Sequence, residues 1–426
     1  MKTKLSSKFW LALVLCSLTG QVAWVVENMY LNVFIYKMFA ASAADISLMV
    51  SASAVAATVT TVFMGALSDK VGKRKIFICS GYILWGISIF CFALIRTDVL
   101  GTLFPMVASA AALGVSLTII FDCVMTFFGS TANDAAFNAW LTDSTDSTNR
   151  GAAEGINSMM PLVSILVVFG GFMAFDLDRQ ESWTIIFVII GAVVLLIGIA
   201  AIFLIKDAPA QKSADGYISN VIYGFRPSTV KGNKELYITL VTFIVFNISI
   251  QIYMPYLIIY YEVSLALSNY VLIMAPAIIL AAIFTAFWGK AYDKKGFDYS
   301  ATVALLSLAF GFTVLYLCRN TALVFIGSLL MMCGYLSGMA VFGAKIRDFT
   351  PDGYAGRLQG VRIFSQVLVP GVVGPFIGKT ILANAEMIVN NDGTSSFVPN
   401  ANIFLGALIA LAPVIIVVLT GRKKKV

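Results

Sequence analysis

Continuous apolar runs of about 20 residues, separated by short polar breaks, dominate the chain. A run of this length crosses a bilayer as an α-helix, whereas the strands of a membrane barrel would alternate apolar and polar residues. The pattern therefore predicts twelve membrane-spanning helices. Their predicted limits are Phe9–Tyr36, Ile46–Leu67, Ile76–Ile95, Leu113–Leu141, Ile156–Phe175, Trp183–Ile205, Leu236–Tyr261, Leu267–Phe287, Ala301–Leu317, Leu323–Ala344, Leu358–Ile377 and Ile403–Leu419.

One longer polar break, Lys206–Glu235, divides the apolar runs into two groups of six. It contains Pro209, Gly216, Pro227 and Gly232, residues that are typical of linkers. We expect an N-terminal six-helix bundle at residues 1–205, a cytoplasmic linker at 206–235 and a C-terminal six-helix bundle at 236–426. The predicted fold class is an all-α membrane protein built from two pseudo-symmetric bundles.

Composition supports a lipid environment. Hydrophobic residues make up 59% of the 426 residues and charged residues only 12%, about half of what a soluble domain carries. The chain has no histidine, so any proton or sodium coupling must depend on carboxylates. The six cysteines fall within or at the ends of apolar runs and show no C-x-x-C spacing. We therefore predict neither a metal site nor a cofactor.

The 29 Lys and Arg residues are distributed unequally between the two sides of the predicted membrane. With the N-terminus in the cytoplasm, 24 of them fall on the cytoplasmic side and five on the other. Such a bias is typical of positive-inside topology, and it predicts a multi-pass protein of the cell membrane with both termini in the cytoplasm. Topology thereby explains the net charge of +7, and a nucleic-acid partner is not needed.

A short motif occurs once in each half. Gly65–Gly72 and Gly289–Gly296 both read G-x-x-x-D-K-x-G, and each lies between two apolar runs. Their starts are 224 residues apart, about half of the chain, which indicates an internal repeat. A second pair of turns, Asp143 with Arg150 and Asp348 with Arg357, closes the fourth and the tenth predicted helices.

The motif Gly65–Lys75, echoed at Gly289–Gly296, resembles the loop motif of the major facilitator superfamily. The end of the fourth helix, Asn133–Trp140 followed by Asp143 and Arg150, distantly resembles the glycoside–pentoside–hexuronide cation symporters. The superfamily resemblance implies charge locks between helix ends that hold one gate closed; the alternative is simple solvation of loop charges. The predicted gate residues are Gly65, Asp69, Gly72, Arg74, Asp143, Arg150, Gly289, Asp293, Asp348 and Arg357.

Three carboxylates fall inside predicted spanning helices. Glu27 lies in the first helix, and Asp122 and Asp134 lie in the fourth. An ionisable group at membrane depth is costly unless it is paired or hydrated, which marks these three as candidates for a cation-coupling or substrate site. A structural ion pair is the alternative interpretation.

Amides and aromatic residues follow helical stripes on the first, fourth and seventh predicted helices. Amides offer both donors and acceptors, and rings stack on sugar faces, so the set favours a cavity for a hydroxyl-rich solute. Hydrogen bonds between helices are the alternative. The candidate solute-binding residues are Gln21, Trp24, Asn28, Asn133, Asn138, Trp140, Asn247, Gln251, Tyr253 and Tyr256.

These observations predict a secondary active transporter, not an enzyme, that moves a small polar solute by alternating access. A sugar or glycoside coupled to H⁺ or Na⁺ is the preferred hypothesis, and we expect a monomer in the lipid bilayer. The sequence contains no G-x-x-x-x-G-K-[ST] loop for ATP and shows no nucleophile–base set. Two alternatives stay open: an efflux antiporter for amphipathic compounds, and a membrane receptor or scaffold without transport.

Overall fold

Long apolar helices account for most of the computed structural model, which describes residues 5–146, 149–207, 222–267, 269–351, 355–390 and 393–423, with the side chains of 355–357, 359 and 421–423 left out. Eleven helices in this part are long and apolar enough to cross a membrane. We label them α1 Ser7–Phe39, α2 Ala43–Val71, α3 Arg74–Phe92, α4 Ala110–Asp143, α5 Arg150–Phe172, α6 Gln180–Leu204, α7 Lys234–Ser264, α8 Val271–Leu317, α9 Thr321–Phe349, α10 Ala355–Ile381 and α11 Asn402–Lys423.

Helix α8 covers two predicted spans. Its 47 residues would be about 70 Å long as one straight helix, more than twice the thickness of the hydrocarbon core. Gly296 interrupts it with φ 76°, a left-handed conformation that glycine adopts without a steric penalty. Counting the segments on either side of Gly296 separately would give twelve spans, and that number stays a prediction.

The helix limits lie within about six residues of the predicted ones. The widest difference is at α5, which begins at Arg150 rather than at Ile156, whereas α8 begins at Val271 rather than at Leu267. Two short helices, Thr97–Leu103 and Pro227–Gly232, and one hairpin were not predicted. The hairpin pairs β1 Met387–Val389 antiparallel with β2 Ser395–Phe397, in the register Met387 to Phe397. It lies in the loop between α10 and α11, beyond the apolar runs on which the prediction depends.

The chain divides into two units, Met1–Ala41 with Ala52–Val221, and Ser42–Ser51 with Ile222–Val426. From Ile222 onwards the chain belongs to the second unit, so the change from the first unit to the second falls inside the predicted linker 206–235. The predicted interfacial helix at Tyr217–Phe225 falls partly on residues 208–221, outside the described residues. The domain limits 1–205, 206–235 and 236–426 stay a prediction.

In the first unit, α1 packs on α5 and α6, and α3 packs on α4 and α6. Close approach of α3 and α6 depends on Gly86, because a Cβ there would lie 2.7 Å from the carbonyl oxygen of Gly191. In the second unit, α7 packs on α10 and α11, and α8 packs on α9 and α11. Each unit therefore contains two helices, α1 and α3 in the first and α7 and α8 in the second, that each pack along two later helices of the same unit.

Three of the helices that carry candidate residues are not continuously α-helical. A π-helical turn occurs at Val26–Tyr30 in α1 and a longer π-helical segment at Ser130–Phe137 in α4. In α7, a 3₁₀ turn at Met254–Tyr256 precedes a π-helical turn at Tyr260–Ser264. Such segments add or remove part of a turn and rotate every later residue around the helix axis, and they recur at functional sites.

Candidate functional site

The carboxyl group of Glu27 lies in the π-helical turn of α1 and is 6% exposed. Its Oε1 accepts hydrogen bonds from the Ser53 hydroxyl of α2 at 2.7 Å and from the Thr126 hydroxyl of α4 at 2.9 Å. The two hydroxyl oxygens are themselves 2.9 Å apart. Three oxygen atoms from three helices therefore form a triangle inside the first unit, each within hydrogen-bond distance of the other two.

The other two predicted carboxyl groups lie close to this triangle. Asp122 of α4 is 2% exposed, and it interacts electrostatically with both Glu27 and Ser53. Asp134, in the π-helical segment of α4, is half-buried, accepts a hydrogen bond from the Ser130 hydroxyl at 3.0 Å and also interacts with Glu27. The structure thus brings together the three carboxyl groups that the sequence singled out.

No Lys or Arg among the described side chains lies within 4.0 Å of any of these three carboxyl groups. Two of their oxygen atoms, Glu27 Oε2 and Asp122 Oδ1, are buried and lack a hydrogen-bond partner in the described part of the chain. A structural ion pair was the alternative interpretation of these carboxylates, and no described side chain provides the basic partner that it requires.

Two predicted solute-binding residues of α4 are instead engaged within the first unit. Asn133 donates from Nδ2 to the Tyr82 hydroxyl at 2.7 Å, and Tyr82 donates to the carbonyl oxygen of Cys16 at 2.6 Å. Trp140 is 1% exposed and donates from Nε1 to the carbonyl oxygen of Lys206 at 3.0 Å. Asn133 thus connects α4 with α3, the alternative interpretation of the polar stripes, and Trp140 connects α4 with the segment that follows α6.

The remaining candidates of the first unit lie in more open positions. Trp24 packs on Trp85 with 5.0 Å between ring centroids, and its buried indole Nε1 has no partner among the described residues. Asn28 is exposed and donates to the carbonyl oxygen of Trp24, while Asn138 is exposed on α4. Gln21 is half-buried on α1.

The candidates of the second unit all lie on α7. Asn247 donates to the carbonyl oxygen of Phe243 at 2.8 Å, one turn earlier on the same helix, and Gln251 is half-buried. Tyr253 and Tyr256 are fully buried. The Tyr256 hydroxyl donates to the carbonyl oxygen of Ala43 at 3.1 Å, whereas the Tyr253 hydroxyl is buried without a partner in the described residues.

The first predicted gate loop contains a buried guanidinium. Arg74, 5% exposed, forms an ion pair with Asp69, donates from Nε to Oδ2 of Asp143 at 3.0 Å and donates from Nη1 to the Ser68 hydroxyl at 2.6 Å. Arg150, which the sequence paired with Asp143, donates instead to Thr145 and to the carbonyl oxygen of Thr142. Arg74 is the nearer partner because its loop reaches the end of α4.

The second gate loop has a different chemistry. The Tyr292 hydroxyl donates to Oδ2 of Asp348 at 2.5 Å, whereas Asp293 is exposed and pairs with no described basic side chain. The side chain of Arg357, the predicted partner of Asp348, lies outside the described residues. The motif offset of 224 residues places Asp298 where the first loop has Arg74, so the second loop cannot repeat that ion pair.

The two loops nevertheless share a backbone feature. Gly72 has φ 68° and Gly296 has φ 76°, and these are the matching last glycines of the repeated motif. A side chain with a Cβ is strained at a positive φ of this size, and glycine adopts it with the least strain. Gly65 and Gly289, the first glycines of the motif, lie within α2 and α8.

Sequence reasoning missed Ser53 and did not select Thr126 as a site residue. Both hydroxyls contact Glu27, and Tyr82 orients Asn133. Small hydroxyl residues carry little signal, because most of them bond to carbonyl groups of their own helix, as Thr58 does to Ala54.

Glu27 and Asp122 are buried and have no basic partner among the described side chains, which makes the cluster a candidate for cation binding. Solved structures share the fold: a point mutant of the nucleoside transporter NupG superposes with a TM-score of 0.72, 12% identity and coverage of 96% of this chain and 98% of that one. A bacterial homolog of the human lysosomal transporter Spinster superposes with a TM-score of 0.69 and 14% identity, and the match covers 98% of this chain and 96% of that one. The xylose transporter XylE from E. coli superposes with a TM-score of 0.68 and 15% identity, and the match covers 96% of this chain and 97% of that one.

The search of curated protein sequences returned no match. A family model described as Major Facilitator Superfamily matches residues 9–375, most of the chain. The helical fold, the repeated loop and this match agree, so the chain is a multi-pass membrane protein that belongs to the Major Facilitator Superfamily and is a transporter rather than an enzyme.

Proposed function

We propose that the protein is a secondary active transporter of a small hydroxylated solute, coupled to a cation that binds at the carboxyl cluster of the first unit. The observation that carries this proposal is the burial of Glu27 and Asp122 beside each other without a basic partner among the described side chains. Keeping such groups in a membrane helix is expensive, and an exchangeable cation offsets that cost.

The solute class is argued from available hydrogen-bonding groups and from the solved relatives. Trp24 and Asn28 of the first unit offer an indole donor and an amide on side chains that are at least partly accessible. Amides and indoles suit neutral hydroxyl groups. One structural neighbour is a nucleoside transporter and another a xylose transporter, which supports pentoses and nucleosides as the first solutes to try.

Transport is tested in proteoliposomes with radiolabelled pentoses, hexoses, glycosides and nucleosides. We expect accumulation of at least one solute when an inward proton or sodium gradient is imposed, and only equilibration without a gradient. Loss of accumulation in Asp122→Asn, with Glu181→Gln unaffected, would assign the effect to the cluster, because Glu181 is a solvent-exposed carboxylate outside it. Binding of a solute without any flux would support a receptor instead.

A second candidate, efflux of an amphipathic compound, is favoured by one groove. A cavity of about 290 Å³ lies between α1, α5 and α6 in the first unit, and Thr19 is the one polar residue among those that line it. Gly171 lines this groove with no atom within 4 Å of the position of a Cβ. Gly171→Leu should therefore reduce resistance to amphipathic drugs in expressing cells if the groove holds them, and should leave sugar uptake unchanged.

The orientation and location also remain proposals. The excess of Lys and Arg on one predicted side favours cytoplasmic termini in the cell membrane, with a monomer as the functional unit. Cysteine accessibility at an added N-terminal cysteine, measured in intact and in permeabilised cells, tests the orientation; labelling in intact cells would contradict it.

A further inference from the structure

We propose that Arg347 of α9 and Arg362 of α10, which we call the arginine pair, bind the phosphate of an anionic phospholipid at one end of the second unit. This site is separate from the carboxyl cluster of the first unit and from the transported solute. The occupant is a diacyl lipid with a net negative headgroup, such as phosphatidylglycerol, in the membrane leaflet next to the start of α10. On the proposed orientation this is the cytoplasmic leaflet.

Both arginines lie where two spanning helices reach the edge of the membrane. The part of α10 that is apolar enough to cross a bilayer begins at Gly360, and Arg362 is half-buried two residues later. Arg347 is exposed and lies two residues before α9 ends at Phe349. Because residues 350–354 alone join the two helices, both guanidinium groups belong to the same end of the unit, near the depth of the lipid headgroups.

The arginine pair has no acidic partner among the described side chains. No described carboxylate lies within 4.0 Å of either guanidinium, and Asp348, which follows Arg347, accepts a hydrogen bond from Tyr292. The neighbouring charge that acts on Arg362 is the positive charge of Arg347. Arg74 of the first unit, by contrast, is bonded to two carboxylates. Two like charges at the edge of an apolar medium repel each other, so an anion that both can reach would stabilise them.

The chemistry of the pair favours a phosphate as this anion. Each guanidinium presents five N–H donors in a planar fork that matches two phosphate oxygens. Such charge-assisted hydrogen bonds are stronger than those between neutral groups. Basic side chains between spanning helices at the cytoplasmic side are a recurrent form of lipid headgroup site. A neutral hydroxylated solute, in comparison, would leave both positive charges uncompensated.

The surroundings of Arg362 favour a lipid over a soluble anion. Phe225 packs edge to face on Phe364, two residues after Arg362, with 5.6 Å between ring centroids. Phe225 and Ile222 are large apolar side chains, yet they are 47% and 49% exposed, and the exposed Arg226 follows directly. Apolar and basic side chains that are exposed side by side are typical of segments at the membrane interface, where acyl chains cover the former and headgroups bind the latter.

This apolar segment is held against α10. The Tyr237 hydroxyl of α7 donates a hydrogen bond to the carbonyl oxygen of Gly224. A Cβ at Gly224 would collide with the side chain of Val361, the residue before Arg362, so glycine permits the close approach. The exposed apolar surface beside the arginine pair is therefore part of the folded unit.

The test measures lipid binding to the purified full-length protein by native mass spectrometry in a neutral detergent. The probes are dioleoyl phosphatidylglycerol and dioleoyl phosphatidylcholine, which differ in net headgroup charge. We expect the first phosphatidylglycerol to bind about tenfold more tightly, because the loss of one charge-assisted hydrogen bond corresponds to about that factor. Arg347→Gln and Arg362→Gln should each reduce this preference to about twofold or less.

Lys295→Gln is the matched control. It removes one positive charge from the same unit, at an exposed lysine whose Nζ lies 4.2 Å from the ring centroid of Tyr299. The preference for phosphatidylglycerol should be retained in this variant. Millimolar inorganic phosphate should not displace the bound lipid, because it lacks the acyl chains that the apolar surface binds.

Equal binding of the two lipids by the wild type, or a preference that survives in both arginine variants, would overturn the proposal. An equal loss of preference in Lys295→Gln would also overturn it, because the effect would then be that of a diffuse surface charge. Displacement of the lipid by inorganic phosphate would assign the arginine pair to a soluble anion instead. Should Arg362→Gln fail to fold, Arg347→Gln decides alone, since Arg347 is exposed and its side chain bonds to no described residue.

Discussion

Arg74 and Asp143 are joined by a hydrogen bond from Nε to Oδ2 of 3.0 Å, although 69 residues separate them in the sequence. The guanidinium also reaches Asp69 and Ser68, so one buried side chain connects the loop between α2 and α3 with the end of α4. This connection is the strongest candidate for the charge lock that the superfamily resemblance implied.

Arg74→Ala should destabilise the protein by about 2–3 kcal/mol, somewhat below the 3–5 kcal/mol typical of breaking a fully buried pair. The reason is that Asp143 retains 18% side-chain exposure and Asp69 52%, so water partly replaces the lost partner. The measurement is the melting temperature of the purified protein in detergent, which should fall by several degrees.

Arg150→Ala is the matched control, because Arg150 is exposed and its bonds to described residues all go to the end of α4, at Thr142 and Thr145. We expect a loss of at most about 1 kcal/mol. Equal losses in the two variants would contradict the assignment of Arg74 as the main connection.

Tyr292→Phe tests the corresponding contact of the second unit. The change removes the hydroxyl that donates to Asp348, an exposed acceptor that water can satisfy. We expect a loss of about 0.5–1 kcal/mol, clearly smaller than for Arg74→Ala. A melting temperature that falls as far as in Arg74→Ala would show that the two loops contribute alike, contrary to the asymmetry described above.

Gly72→Ala tests the backbone of the repeated motif. With φ at 68°, a Cβ meets the following carbonyl oxygen, and the strain should cost about 1–2 kcal/mol. Gly65→Ala is the control, since Gly65 is helical and an added Cβ would make an ordinary contact of 3.7 Å with Ala135. Gly65→Ala should leave the free energy of unfolding unchanged or raise it by up to about 1 kcal/mol in the same thermal assay. A larger loss of stability in Gly65→Ala than in Gly72→Ala would contradict the positive φ at Gly72.

A pH dependence is expected at the pair Arg96 and Asp98, in the loop between α3 and α4. Hydrogen bonds from Arg96 lower the pKa of the Asp98 carboxyl below its ordinary value. Because the folded-state pKa is the lower one, the pair contributes stability above the unfolded-state pKa of about 3.9 and loses it as pH falls through the folded-state value.

Asp98→Asn should therefore lower the melting temperature slightly at pH 7, and the difference from the wild type should disappear at the acidic end of a titration. The effect is small because the carboxylate is fully exposed. A difference that grows on acidification would contradict the sign of the shift.

Much of the fold could be predicted because its causes are local in the sequence. Apolar runs located the helices, and the repeated motif located two turns that end in left-handed glycines, Gly72 and Gly296. The hairpin Met387–Phe397 was missed, because a loop hairpin depends on a few turn residues such as Gly393 rather than on a long pattern.

The candidate site could be predicted only in part. A carboxylate within an apolar run can be recognised in the sequence because its burial is costly. The three that were recognised in this way, Glu27, Asp122 and Asp134, do interact in the structure. The polar stripes were less informative, because a helical period assumes an unbroken α-helix. The π-helical segment at Ser130–Phe137 turns the following residues, and Trp140 consequently lies buried against Phe9.

The central claim is the proposal that transport is coupled to a cation at the carboxyl cluster of the first unit, with Glu27 as one of its acids. The most direct test is to take the solute with the strongest uptake among pentoses and nucleosides and to compare two modes in liposomes: accumulation driven by an imposed proton or sodium gradient, and exchange of labelled for unlabelled solute without a gradient. The account predicts that Glu27→Gln abolishes accumulation and retains exchange. Accumulation in Glu27→Gln at the wild-type level would contradict it.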